Sequence, residues 1–216
     1  NESGLITAIS AGAATISAKN GDDTLASADI TVYGALTIGK IADVTLDADT
    51  FTDAQKTVSV TTQNAITGDT LQVTVSPAGI VEAPSTAAIS NNAASVTLTP
   101  KKLGTATVTV SCGSASQSFT VTVTASKPHT LRFEKSTMTV ARGETKTNKA
   151  TSATDTDTIT YSSQNSYQAT VDETTGAVTG LAAGSRITIT ATAKANGVEV
   201  STESYNLTVS DLYSIA

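Results

Sequence analysis

Strict alternation between apolar and hydroxyl side chains is the feature that most constrains the fold of this chain. Val, Ile, Leu or Ala occupies every second position of several runs, and mostly Thr or Ser stands between them, most clearly in residues 71–75, 105–112, 119–124 and 187–193. β-Branched side chains fit a pleated strand and lose rotamer freedom in a helix. Because a period of two gives a strand one core face and one solvent face, the pattern predicts half-buried strands of antiparallel sheets.

Turn signals separate these runs at the spacing that is typical of a β-sandwich. Asn-Gly stands at residues 20–21 and 196–197, and further Gly- or Pro-containing turns occupy residues 67–69, 77–79 and 142–143. Short strands at a spacing of about 8–12 residues, separated by such turns, predict β-sandwiches.

The charge balance excludes several partners. The chain has 13 basic and 19 acidic residues, a net charge of −6, and only 15% charged residues. Phosphate recognition needs clustered Lys and Arg, so we expect no nucleic-acid partner. No apolar run approaches the ~20 residues that cross a bilayer, so we expect no membrane span.

An internal repeat sets the domain organisation. Residues 12–32, 104–123 and 184–209 each begin with Gly, continue as an alternating strand, turn, and end in a second strand with a final Val. The third copy is longer around its Asn-Gly turn. Residues 4–9 and 176–181 also share the Gly-containing stretch before the repeat. A period of about 90 residues is typical of tandem domains rather than of a solenoid.

The third copy carries a family resemblance. Residues 157–165 hold the sequence DTITYSSQN, residues 169–172 ATVD and residues 176–184 GAVTGLAAG, followed by the Ile-Thr alternation. This pattern resembles the bacterial immunoglobulin-like (Ig-like) domain, group 2, in which Trp usually stands where this chain has Tyr161. The resemblance implies an Ig-like sandwich. It covers residues 130–210 well, whereas residues 1–33 match only the second half of the domain and the middle segment matches only at its end, residues 104–123.

We therefore predict an all-β chain of tandem Ig-like antiparallel β-sandwiches, the first one incomplete. The first segment (1–33) is expected to be the C-terminal half of an Ig-like domain. The second module (34–126) and the third module (127–216) are expected to be whole domains, the third resembling group 2. Both linkers are short, which predicts modules stacked end to end as a stiff rod.

The first segment should require a partner. It encodes three or four strands by pattern, whereas an Ig-like sandwich has about seven. A fragment of this size does not bury a core on its own. We expect protein–protein contacts through residues 1–33, either with another copy or with an upstream part of a longer chain. These contacts would cover six apolar side chains: Leu5, Ile6, Ile9, Ile16, Ile30 and Val32.

No residue pattern predicts catalytic, cofactor-binding or metal-binding residues, and a ligand site remains unknown. Cys112 shares the face of Val108 and Val110, so we expect a small buried side chain. His129, in the linker, lacks the companions of a metal site. Asn206 should point outward, which argues against an isopeptide crosslink.

Two groups of aspartates could suggest a calcium site. Asp43, Asp47, Asp49 and Asp53 do not fit an EF-hand loop, because the glycine at position 6 and the glutamate at position 12 are absent. The pair Asp155 and Asp157 is expected to lie in a solvated loop, so we expect no cofactor.

The aromatic residues bear on glycan binding, which needs exposed rings. Strand parity assigns Phe119, Tyr161, Tyr167 and Tyr205 to cores, with hydroxyls at the rim. Tyr33 and Tyr213 stand near segment ends, where they could pack between modules, and Phe51 has no assignment.

The function predicted from these observations is a non-catalytic structural or adhesive module, a spacer or assembly unit of a surface-exposed bacterial protein. The resemblance also implies an alternative, a phage virion component such as a capsid decoration, tail or fibre module, and glycan binding is a further alternative. Either setting is extracellular: the bacterial cell surface or the virion. We expect no enzyme.

Overall fold

The structure, a computed structural model, describes residues 4–211. Strands and turns make up this part of the chain, and the described residues contain no helix. The alternation of the sequence is reproduced in the burial of the long strands. In residues 57–63, for example, every second side chain is buried and the others are exposed.

The first segment forms one isolated hairpin. Strand β1 (Gly12–Asn20) pairs antiparallel with β2 (Asp23–Val32), with Gly12 opposite Val32. The expectation of three or four strands is wrong, because residues 4–11 form no strand. A strand needs a neighbour for its backbone groups, and the strands that flank the equivalent stretch of the third module have no counterpart among residues 4–33.

The second module contains ten strands. They are β3 (Thr37–Ile38), β4 (Val44–Asp47), β5 (Thr57–Gln63), β6 (Thr70–Ser76), β7 (Val81–Glu82), β8 (Thr86–Ala88), β9 (Ala93–Thr97), β10 (Thr99–Pro100), β11 (Gly104–Cys112) and β12 (Ala115–Thr124). One sheet has the order β4-β12-β11-β6-β8, a second has the order β3-β5-β9, and β7 pairs with β10. The two larger sheets bury a common apolar core that includes Leu46, Val60, Leu71, Val96, Val108 and Val121.

The third module contains nine strands. They are β13 (Leu131–Phe133), β14 (Thr137–Ala141), β15 (Thr145–Thr147), β16 (Ala150–Ser152), β17 (Thr158–Ser163), β18 (Ala169–Val171), β19 (Ala177–Gly180), β20 (Gly184–Ala195) and β21 (Val198–Ser210). The largest sheet has the order β14-β21-β20-β17, and it faces the sheets β15-β19-β18 and β13-β16. Its core includes Val140, Val178, Ile189, Tyr205 and Leu207.

Both modules place a repeated hairpin at the centre of their main sheet. In each, the second strand of the hairpin pairs in parallel with a short early strand, β12 with β4 and β21 with β14. The first strand pairs antiparallel with a middle strand, β11 with β6 and β20 with β17. The predicted fold class, tandem sandwiches with an incomplete first one, is confirmed. Among residues 4–211 no sheet contains strands of both modules. The boundaries at 33/34 and 126/127 stay a prediction.

Candidate functional site at the module junction

The hairpin of the third module is longer than that of the second, and its tip reaches the second module. Strands β20 and β21 have 12 and 13 residues, against 9 and 10 for β11 and β12. The tip turns at Asn196 and Gly197, whose φ angles are 46° and 84°. Asn-Gly is the sequence that a two-residue hairpin turn with two positive φ angles prefers. The extra residues noted in the third repeat therefore build a contact rather than a loose loop.

Apolar burial anchors this tip. Val198 is fully buried and Ala195 is 7% exposed, and both belong to the core cluster of the second module. Asn196 Nδ2 donates a hydrogen bond of 2.8 Å to the carbonyl oxygen of Ala48. Because that carbonyl belongs to the second module, the hairpin turn is held by both packing and a polar contact.

Backbone pairing continues beside the tip. The N–H of Glu199 donates to the carbonyl of Lys101 at 2.7 Å, and the N–H of Leu103 donates to the carbonyl of Glu199 at 3.3 Å. Lys102 Nζ lies 2.8 Å from Glu199 Oε1. This ion pair is partly solvated and contributes little, so the backbone bonds and the buried side chains carry the contact.

Two aspartates at the end of β4, Asp47 in the strand and Asp49 just after it, fix the linker. Asp49 Oδ2 accepts hydrogen bonds from the backbone N–H groups of Ser126 and Lys127, each at 2.9 Å. Asp47 Oδ1 accepts from the N–H of Asp49 at 3.0 Å and of Ser126 at 3.2 Å. The Asp49 N–H, followed by the Ser126 bonds, outweighs burial and holds the pKa of Asp47 below its ordinary value. The linker thus follows a fixed path around these carboxylates.

His129 lies between one carboxylate of each module. Its Nδ1 is 2.9 Å from both carboxylate oxygens of Asp157, and its Nε2 is 3.2 Å from Asp49 Oδ1. The side chains of His129 and Asp49 are each 3% exposed, and that of Asp157 is 1% exposed. Asp157 also accepts a hydrogen bond from Ser152 Oγ at 2.5 Å. Since both ring nitrogens face carboxylates, the arrangement favours the doubly protonated imidazolium.

The electrostatics agree with this protonation state. Burial lowers the pKa of His129, but hydrogen bonds to Asp157 and Asp49 outweigh it and leave the pKa above its ordinary value. Burial raises the pKa of Asp49, but the Lys127 N–H, His129 and the Ser126 N–H outweigh it and leave the pKa lowered. We call His129, Asp49, Asp157 and their hydrogen-bond donors the junction clamp.

The junction clamp is suited to fixing the relative position of the two modules rather than to catalysis. Its three charged side chains are closed off from solvent, and charge-assisted hydrogen bonds are short and directional. A buried ion pair adds little net stability, but removing one partner leaves an uncompensated buried charge and is costly. The arrangement therefore penalises relative positions of the two modules in which His129 loses the carboxylate of Asp49.

Sequence reasoning missed this site. It gave His129 no role, and its interpretation of Asp157 as part of a solvated loop is wrong, although the neighbouring Asp155 is exposed. The residues of the clamp are far apart in sequence, so no motif marks them. The usable signal was the extra length of the third hairpin.

The other acidic residues of the second module serve separate local contacts. Asp43 Oδ1 accepts from the N–H of Thr120 at 2.7 Å, and Asp53 lies 2.6 Å from Lys56 Nζ. Lys56 Nζ also stands 5.4 Å from the centroid of the Phe51 ring, which accounts for that aromatic residue. Among residues 4–211 no three His, Cys, Asp or Glu side chains form a group that could hold a metal ion.

The aromatic assignments are confirmed in part. Phe119, Tyr161 and Tyr205 are buried, but Tyr167 is 88% exposed, so its core assignment by parity is wrong. It lies before β18, where the strand alternation does not yet apply. Tyr33 is 65% exposed, and Tyr213 lies outside the described residues.

The prediction that the hydroxyls of Tyr161 and Tyr205 lie at the rim of the core is wrong. Tyr161 Oη accepts a hydrogen bond from the N–H of Ala150 at 3.0 Å inside the core. Tyr205 Oη is buried with no hydrogen-bond partner among the described residues, and burial, followed by the effect of Tyr161, raises its pKa to about 12. Both rings pack against Phe133, whose centroid is 4.8 Å from that of Tyr205.

The two remaining candidates, Cys112 and Asn206, occupy ordinary strand positions. Cys112 is half-buried and packs against the core of the second module. Asn206 is exposed, as its parity predicts.

Comparison with known proteins confirms the family resemblance for the third module. Residues 120–203 match the bacterial Ig-like domain (group 2). This Ig-like match begins in β12, so it includes the linker and the third module's side of the junction, but not Asp49 or residues 101–103 of the second module. No curated protein sequence matches the chain.

Several solved structures are similar to this chain. Surface layer protein SbsC, domains 1–6, is 19% identical over 90% of this chain and 31% of its own length, with a TM-score of 0.36. Domains 4 and 5 of the S-layer protein SbsC are 22% identical over 82% and 98%, with a TM-score of 0.34. A C-terminal intimin fragment in complex with a translocated intimin receptor domain is 18% identical over 83% and 64%, with a TM-score of 0.28. The chain spans about a third of the first of these structures.

No helix within residues 4–211 has the length and apolarity needed to cross a membrane.

Proposed function

We propose that this chain is a non-catalytic spacer and assembly unit of a surface-exposed bacterial protein. In this role the second and third modules act as one stiff element that holds other parts of the protein at a fixed distance and angle. The match of residues 120–203 to the bacterial Ig-like domain (group 2) supports an extracellular setting of this kind.

The observation that carries the proposal is the closed junction. A spacer transmits geometry only if its modules cannot swivel, and a short linker alone limits bending without fixing an angle. Here Val198 fills the core of the neighbouring module, and His129 is held from both sides by buried carboxylates. Three independent kinds of contact, apolar, backbone and charged, thus oppose the same motion.

Distance measurements between the modules test the proposal. Spin labels would be attached through Thr61→Cys in β5 and Thr170→Cys in β18, both exposed strand positions, in a chain carrying Cys112→Ser. We expect one narrow distance distribution for this chain, and a broad one when His129→Ala and Val198→Ser are added. Asp155→Asn, an exposed change close to the clamp, is the matched control and should leave the distribution narrow. A broad distribution before any junction change would contradict the spacer function.

The virion alternative makes a different prediction. A capsid or tail component would assemble in a regular array on a particle, whereas a cell-surface spacer would appear as separate elongated molecules by negative-stain electron microscopy. Glycan binding is tested at Tyr167, whose ring is exposed. A glycan array signal lost in Tyr167→Ala but kept in Tyr161→Phe would support it.

A further inference from the structure

The hairpin of the first segment presents an apolar face that the described residues cover only in part, since Ile16 and Ile30 are half-buried there. The register places Ala14 opposite Ile30 and Ile16 opposite Ala28 on one face, while Thr15 and Asp29 share the other, joined by a 2.7 Å hydrogen bond. A groove of about 320 Å³ lies along this face, lined by residues 6–11 and by hairpin residues that include Ile16, Ile30 and Val32. None of the core clusters formed by residues 4–211 includes a residue of the first segment.

The third module shows what covers the same motif. The stretch equivalent to residues 4–9 is β19, which pairs with β15 on one side and β18 on the other. The hairpin equivalent to β1 and β2 is β20 and β21, which is flanked by β17 and β14. In that setting Ile187, Ile189 and Leu207 are at most 3% exposed. All the missing neighbours come from one stretch, residues 129–175.

Two glycines of the first segment have the same backbone conformation as a glycine of a complete module. Gly4 and Gly176 have φ of 67° and 72°, and Gly12 and Gly104 have φ of 147° and 142°. A Cβ built at Gly176 would lie 2.9 Å from the Tyr161 ring, and one at Gly104 would lie 2.9 Å from Ile80 Cδ1. At Gly4 and Gly12 the same position has nothing within 4 Å. The first segment thus keeps the space that a packed side chain fills elsewhere.

From this geometry we propose that residues 4–32 are an acceptor site for the N-terminal strands of an Ig-like module. The occupant is a polypeptide segment with the strand order of residues 129–175. It adds a parallel strand to the free edge of β2, an antiparallel strand to the free edge of β1, and a second sheet that pairs with residues 5–8 and covers the apolar face. An aromatic side chain of this segment packs over Gly4 as Tyr161 does over Gly176.

A second copy of the chain is a poorer occupant. Two bare hairpins placed face to face would cover Ile16 and Ile30, but neither supplies an early strand that runs parallel to β2. They would also leave the positions beside Gly4 and Gly12 empty. Only the N-terminal strands of a module satisfy both edges and the face together.

A fusion tests the acceptor site in the whole chain. An added copy of residues 127–175 is joined directly to Gly4, which reproduces the natural step from Thr175 to Gly176. We expect amide hydrogen exchange of residues 12–32 to slow by at least about 100-fold in this fusion, because the hairpin becomes part of a cooperative core. The matched control carries Val140→Asp in the added copy and should not slow exchange.

The unmodified chain supplies the second measurement. Its residues 12–32 should exchange within about tenfold of an unstructured peptide at low concentration. Strong protection of residues 12–32 in the unmodified monomer, or no protection of them in the fusion, would overturn the inference. Protection that rises with concentration together with dimerisation would assign the face to a second copy and would overturn it as well. The junction is unchanged throughout, so these outcomes leave the spacer function untouched.

Discussion

The first and third hairpins of this chain start from the same sequence pattern and end in different environments. Both begin with Gly opposite a final Val, as in the pairs Gly12–Val32 and Gly184–Val209. The first has a half-buried Ile16 on its inner face, whereas Ile189 of the third is fully buried. The difference shows that alternation determines which face of a strand is apolar, while burial depends on strands supplied from elsewhere.

The third hairpin differs a second time, at its tip. Residues 194–200 extend beyond the length of the other two hairpins and reach the second module, where the bridge between Lys102 and Glu199 forms. One repeated motif has therefore been used as an uncovered surface, as a core hairpin, and as a core hairpin with a joining arm. The following changes test these three states, from the largest expected effect to the smallest.

A charge introduced on the apolar face should give the largest difference in unfolding free energy between the first and third hairpins. Ile189→Asp places an unpaired carboxylate at a fully buried position and should cost more than about 4 kcal/mol in the free energy of unfolding of the third module. Ile16→Asp, the matched change in the first hairpin, should cost less than about 0.5 kcal/mol, because the side chain remains in contact with water. Urea unfolding followed by circular dichroism measures both. Equal losses would show that the first hairpin already has a core.

Removal of the His129 imidazole should destabilise the contact between the second and third modules. His129→Ala leaves Asp49 and Asp157 buried without their shared partner and should cost about 3 kcal/mol in unfolding free energy. Asp155→Asn, next to the clamp but exposed, should change the free energy by less than about 0.5 kcal/mol. Thermal unfolding of the whole chain gives both values. If His129→Ala were neutral, the clamp would not contribute to the junction.

Truncation at the tip should uncouple the modules. Val198→Ala removes two buried methyl groups and should cost about 1.5 kcal/mol. Because Val198 belongs to the third module but packs in the core of the second, calorimetry should show one transition splitting into two. Val200→Ala, partly buried beside it, is the milder comparison. A loss confined to the third module alone would argue against coupling through this side chain.

Proton linkage should produce the smallest effect. The pKa of His129 is raised in the folded state, so its contribution to stability is complete below the unfolded value of about 6.5 and is lost as pH rises through the folded pKa. The pKa of Asp49 is lowered, so its contribution is present above about pH 3.9 and is lost as pH falls through the folded pKa. The difference in unfolding free energy between the natural chain and His129→Gln should therefore be largest between about pH 4 and 6.5. A flat difference from pH 4 to 9 would contradict the assignment of a charged imidazole.

Much of the fold followed from the sequence because strand alternation is a local signal. The inner faces of β11 and β12, with Val108, Val110, Phe119 and Val121, are buried as parity predicts. Parity did not place Tyr167, which lies outside a strand, and it did not show that residues 4–11 need neighbours before they can form one.

The candidate site did not follow from the sequence because its geometry is long-range. Asp49, His129 and Asp157 meet only after both modules have folded and the linker has been fixed by backbone donors. Nothing in the immediate neighbours of Asp157 distinguishes it from the exposed Asp155. Hydrogen bonds between carboxylates and a distant ring depend on tertiary placement, which neither composition nor periodicity encodes.

The parallel pairing of early and late strands has a mechanical consequence. In the second module β4 runs parallel to β12, and in the third β14 runs parallel to β21, so in each module an early strand and the last strand lie side by side. Tension applied to the two ends pulls such strands along their length in opposite directions, so the hydrogen bonds between them are loaded together rather than opened one at a time. The second and third modules would therefore each resist a pulling force through shear between their parallel strand pairs.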